Sequence, residues 1–145
     1  MEILALIRKD HGEAKDLFRR LEARAEIPSI ETEELVVQLV TEILLHAKSE
    51  EKALYKFCRT RGKSLREFAL EGHVEHKLLE IALKRLSVVP PGPDGKFKAV
   101  LKVAKELFTH HAIEEEEKET FSKIMSAFSL PEREAMGDAM AAIKD

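Results

Sequence analysis

The six histidines of this 145-residue chain are His11, His46, His73, His76, His110 and His111, and their placement is that of ligands. In four separate stretches an imidazole interrupts a series of apolar residues at helical spacing. The first series is Leu4, Ile7, His11, Ala14, Phe18, Leu21. The second is Val36, Leu39, Ile43, His46, Glu50, Ala53, Phe57, and the third is Ala69, Gly72, His76, Leu79, Leu83, Leu86. The fourth is Val103, Leu107, His110, Glu114, Glu117, Phe121, Ile124, Phe128. His73 precedes His76 by almost one turn and can share its face. On a helix, residues four apart lie one above the other, so His46 with Glu50 and His110 with Glu114 can each clasp one point.

One histidine on an apolar stripe is ordinarily a hydrogen-bonded core residue. Four helices each carrying one at similar depth, two of them with a carboxylate, make a different case. A buried carboxylate without a partner costs several kcal/mol or more. A metal ion reverses that sign, because it takes ionised carboxylate and neutral imidazole and compensates their charge. Nitrogen and carboxylate oxygen without thiolate suit iron, manganese or zinc. Four or five histidines with two glutamates exceed one tetrahedral zinc. They suit two adjacent ions with positions left open for oxygen, nitric oxide or water. Part of the run Glu114-Glu115-Glu116-Glu117 must face solvent.

The elements that position these residues read as helices throughout. The first covers about 2–25 and ends at Ile27-Pro28-Ser29. The second covers about 32–60 and stops at Gly62. The third opens on Ser64-x-x-Glu67, the pattern of a capping box, in which each side chain satisfies a free backbone N–H of the other. Pro90-Pro91-Gly92-Pro93-Asp94-Gly95 is a loop. The fourth helix covers about 96–127, and a short fifth covers about 131–144. Comparable lengths and short connections predict an all-α, up-down-up-down antiparallel four-helix bundle over about 2–128, with the fifth helix appended in one domain, 1–145.

Composition narrows the function classes. The net charge of −3, with signs interspersed, gives no basic face for nucleic acid. No apolar run approaches the ~18 residues of a membrane span. The first ten residues lack a signal-peptide layout. The single cysteine, Cys58, excludes an internal disulfide and a thiolate cluster. A cytoplasmic protein is expected.

The chain resembles the hemerythrin-like, HHE cation-binding domains. The matching pieces are Asp10-His11, His46-Ala47-Lys48-Ser49-Glu50-Glu51, Glu75-His76, and His110-His111-Ala112-Ile113 followed by the four glutamates, spread over residues 1 to about 128. The resemblance implies an antiparallel bundle around two irons bridged by carboxylates and an oxo or hydroxo group, with zinc or manganese as substitutes. It implies binding or sensing of dioxygen, nitric oxide or iron; with no room for a second domain in 145 residues, a sensor is expected to act through a separate protein partner. The family's third-helix histidines are often four apart, and here His73 and His76 are three apart. In the fourth helix, heptad phase selects His110 with Glu114. The interval to the next aromatic favours a later register, since Glu50 precedes Tyr55 by five and Glu116 precedes Phe121 by five. His111 with Glu115 lies between these two, and a π-bulge would reconcile them. Ferritin-like di-iron bundles are set aside, because no histidine here has Glu three residues before it. The alternative is a di-iron redox enzyme acting on iron, peroxide or nitric oxide. No Trp is present, and Tyr55, five residues after Glu50, need not face the site. Binding is therefore favoured over catalysis.

Overall fold

The computed structural model describes Met1–Asp145. Four helical rods and one shorter helix account for nearly all of it, with no β-strand. Rod 1 is Ile3–Glu22. Rod 2 is Ile30–Glu50, continued by a π-helical turn, Glu51–Tyr55, and a last α-turn, Lys56–Cys58. Rod 3 is Lys63–Val88. Rod 4 is Lys96–Phe108, then π-helical Thr109–Thr120, then Phe121–Ala127. The C-terminal helix is Leu130–Lys144. Rod 1 packs on rod 2, rod 2 on rod 3, rod 3 on rod 4 and rod 4 back on rod 1, closing the four-helix bundle. The C-terminal helix lies across rods 1 and 2. No helix is long and apolar enough to cross a membrane.

The ends follow local chemistry. Ser29 caps rod 2 by accepting from the Thr32 N–H. Gly95, at φ 81°, supplies the left-handed turn that leads into rod 4. The capping box expected at Ser64 does not form. Gly62, at φ 91°, starts rod 3 one residue before Ser64, which leaves the Ser64 side chain inside the helix. The reciprocal box is found at Ser129 and Glu132, ahead of the C-terminal helix. Gly137 lets that helix meet the N-terminus, since a Cβ there would lie 2.1 Å from the Met1 carbonyl oxygen.

The core is two apolar clusters with a polar layer between them. One cluster holds Phe18, Leu39, Leu83, Phe97 and Phe108, and the other Ile7, Leu54, Ala69, Phe121 and Phe128. His11 falls between Ile7 and Ala14, and His46 between Ile43 and Ala53. His76 falls between Ala69 and Leu79, and His111 between Phe108 and Phe121. Each rod therefore switches from one cluster to the other at the same level.

Rod 4 corrects the sequence reading. Two apolar stripes run side by side along its first half. The burial of bulky aromatics selects Phe97, Leu101, Ala104 and Phe108 over the expected stripe, and Val103 is left half exposed. Phe108 and Phe121 are both buried although thirteen residues apart. At 3.6 residues per turn they would be about three and a half turns apart, on opposite faces. The wider winding of Thr109–Thr120 brings them to one face.

Candidate metal centre

Six buried side chains converge in the polar layer, one or two from each rod. His11, His46, Glu50 and Glu116 bring one ligand atom each within 4.8 Å of the others, and so do Glu50, His76 and His111. Glu50 belongs to both groups, so the two positions are adjacent and share a carboxylate. The inward atoms are close without bonding. His76 Nε2 lies 3.1 Å from Glu50 Oε1, His11 Nε2 3.3 Å from Glu116 Oε1, His111 Nε2 3.6 Å from Glu116 Oε2, and His46 Nε2 3.7 Å from Glu50 Oε2.

Behind the histidines runs a closed ring of carboxylates, each on the rod before the one it serves. His46 Nδ1–H donates to Asp10 of rod 1 at 2.7 Å. His76 Nδ1–H donates to Glu51 of rod 2 at 2.9 Å. His111 Nδ1–H donates to Glu75 of rod 3 at 2.7 Å. His11 Nδ1–H donates to Glu117 of rod 4 at 2.7 Å. An Nδ1 proton held by a carboxylate fixes the tautomer and leaves the Nε2 lone pair facing the centre. Lys144 of the C-terminal helix pairs with the other oxygen of Asp10.

Both oxygens of Glu50 and Oε1 of Glu116 are buried without a hydrogen-bond partner. Lone pairs of imidazole and carboxylate therefore face one another in an interior shut off from water. Such an arrangement calls for positive charge, and the donor set of nitrogen and oxygen fits metal ions. Protons are the substitute when no ion is bound. Burial pushes the His11 imidazole down, but the Glu116 and Glu117 carboxylates beside it outweigh that and raise its pKa to about 9. Burial would raise the Glu50 carboxyl, yet His111 and His76 hold it well below the usual carboxylate range.

Tyr55 is the residue that sequence reasoning left out. The π-helical turn of rod 2 rotates it inward, above Glu50, where it is fully buried. Its hydroxyl donates to Glu116 Oε2 at 2.8 Å and lies 3.0 Å from His111 Nε2. Its ring stacks on His76 with centroids 5.3 Å apart. Gly72 makes the space, because a Cβ there would lie 2.7–2.9 Å from the phenol. Burial, then the charges of Glu116 and Glu50, push the phenol well above its ordinary pKa, so it keeps its proton. Cys58, buried and pushed up to about 12 by burial and the same carboxylates, stays a thiol.

A cavity of about 170 Å³ reaches His11 and His46 between the apolar walls of Ala14, Ile43 and Phe108. Asp10 and Lys144 also line it.

His11, His46, Glu50 and His76 face inward, as their stripes predict. His73 stays outside the inner group with its side chain 43% exposed, donating to the same Glu51 that holds His76. His110 and Glu114 point outward, with side chains 56% and 59% exposed, because the buried stripe of rod 4 is rotated by one residue from the expected one. His111 takes the inward place, paired with Glu116 five residues on rather than with Glu115. Glu115 joins Glu75 and His110 in a third, more open group at the edge. The sequence signal for Glu116 was its five-residue interval before Phe121. The signal for the ring was an acid adjoining an inward residue in every rod: Asp10-His11, Glu50-Glu51, Glu75-His76 and Glu116-Glu117.

A family model described as the hemerythrin HHE cation binding domain matches residues 2–124. No curated protein and no solved structure matches the chain. With the match spanning nearly the whole bundle and the inward His and Glu groups inside it, this chain belongs to the hemerythrin HHE cation-binding domain family and is a metal-binding helical bundle.

Proposed function

We propose that the centre holds two iron ions, one on His11, His46, Glu50 and Glu116, the other on Glu50, His76 and His111, and that the protein binds or senses a small diatomic ligand. The observation that carries this reading is the set of three buried carboxylate oxygens without partners, ringed by four imidazoles whose Nδ1 protons are already committed. Glu50 serves as the shared carboxylate, and Glu116 spans from His11 to His111. A pair of irons would supply redox chemistry and open coordination positions for dioxygen or nitric oxide. The cavity beside His11 and His46 gives a small molecule a route to two of the imidazoles.

A second reading, a redox enzyme acting on iron, peroxide or nitric oxide, is favoured by Tyr55. Its protonated hydroxyl, 2.8 Å from Glu116, is a proton donor and an oxidisable ring at the centre. The sequence argument against an enzyme rested on the absence of Trp and on Tyr55 not having to face the site, and the hydroxyl of Tyr55 beside Glu116 removes its second half. The test is the optical spectrum of ferrous-loaded protein with and without dioxygen or nitric oxide. A new band that reverses on removing the gas supports binding, and repeated turnover of peroxide supports the enzyme. Failure to take up iron, zinc or manganese under anaerobic loading defeats both.

A further inference from the structure

Rod 3 carries a second apolar stripe that the bundle does not use. Leu70, Val74, Leu78, Ile81 and Val88 are between 46% and 71% exposed. At 100° per residue they fall within about 80° of arc on one face, over a length of about 27 Å. The opposite face of the same rod buries Leu65, Ala69, His76, Leu79, Leu83 and Leu86. Exposed aliphatics scattered singly need no explanation, but five in one row along a single helix do.

The row is close to a palindrome about Leu78. Leu70 and Val88 stand eight and ten residues from it, and Val74 and Ile81 four and three. Two exposed charges on the Leu78 side of the stripe, Glu71 and Arg85, stand seven residues to either side of Leu78. Lys77 and Lys84 pair with Glu80 within the helix, but neither Glu71 nor Arg85 has an ion-pair partner in its own chain. A two-fold axis through Leu78, lying in the contact plane and perpendicular to the rod, keeps each rim on its own side while reversing the chain direction. Glu71 of one copy then comes level with Arg85 of the other, twice over. Leu78 meets Leu78, Val74 meets Ile81, and Leu70 meets Val88.

We infer that this face of rod 3 is an antiparallel, two-fold interface between two copies of the chain. The self-complementarity is what an isologous contact requires. An unrelated partner would need no palindrome. A stripe one helix wide lies at the small end of specific interfaces, so association is tested as a function of concentration.

Sedimentation velocity across about 1–200 µM tests it. Wild-type protein should shift with concentration towards twice the chain mass of 16.5 kDa. Leu78→Lys sets two ammonium groups on the axis and should weaken association more than about tenfold. Glu71→Arg and Arg85→Glu should each weaken it, and the two together should restore it, which a change in fold would not do. Leu78→Cys should cross-link to a disulfide dimer under mild oxidation, whereas Leu130→Cys, at an exposed position on the C-terminal helix, should not. A wild-type monomer at the highest concentration would overturn the inference. So would a dimer that Leu78→Cys does not cross-link, or a double charge reversal that does not restore what the single ones lost.

Discussion

Removal of the bound metal should cost this protein a large part of its stability. The ion's absence leaves Glu50 Oε1, Glu50 Oε2 and Glu116 Oε1 buried with no partner. A buried acceptor left unsatisfied costs about 1–3 kcal/mol, and more when charged. Three of them amount to about 3–9 kcal/mol, against a total of about 5–15 kcal/mol for an ordinary domain. For a chain of this size each kcal/mol moves the melting temperature by about 2–4 °C, so the drop should be roughly 10–30 °C. The assay is thermal unfolding of metal-loaded and chelator-treated protein at pH 9, with elemental analysis proving removal. The double variant Glu50→Leu, Glu116→Leu sharpens the test. It should be indifferent to chelator, and more stable than metal-free wild type by about 1–4 kcal/mol, because well-packed apolar residues often outperform a buried ion group. A chelated wild type melting within about 3 °C of the loaded form, with its metal shown to be gone, would refute the reasoning. The carboxylates would then be satisfied by the surrounding imidazoles alone.

The same physics fixes the pH dependence of the metal-free protein. The His11 pKa is raised to about 9 in the folded state, above its unfolded value of 6.5, so protonated His11 stabilises the fold fully below pH 6.5 and that stability is lost as pH rises through about 9. The loss is on the order of 3 kcal/mol and should appear as a falling denaturant midpoint between those pH values. With His11 a ligand, as proposed, the loaded protein holds it as neutral imidazole and should not follow that curve. In the carboxylate ring, Glu117→Gln should lower metal affinity about 10–100-fold in competition titrations, whereas His110→Ala and Glu114→Ala should leave the bound-metal count unchanged. Gly72→Ala forces a Cβ into the Tyr55 ring, at a cost of about 1–3 kcal/mol read by denaturant unfolding. Tyr55→Phe keeps the packing and removes only the donor to Glu116, so it should shift the reduction potential of the loaded centre more than the melting temperature.

What was legible in the sequence, and what was not, divides along the winding of the helices. The four rods and the inward faces of rods 1 and 3 follow from apolar stripes at the ordinary α period, because neither rod departs from it before its histidine. Rods 2 and 4 change winding at the centre itself. A residue five positions after an inward one points elsewhere in an α-helix and to the same side in a π-helix. Tyr55 after Glu50, and Glu116 after His111, are both such residues. An α-period reading must therefore misplace both, however well it reads the stripes. In rod 4 the difficulty is doubled, since Val103 and Leu107 offer a stripe nearly as apolar as that of Phe97, Leu101 and Phe108. Only packing chooses between them. The fixed points that could have decided it are the aromatics. Phe108 and Phe121 are both buried, and no α-helix brings both inside across thirteen residues. Their joint burial requires the π segment, and the π segment in turn selects His111 and Glu116 over His110 and Glu114. The register of the candidate centre is thus set by two phenylalanines that offer it no ligand atom.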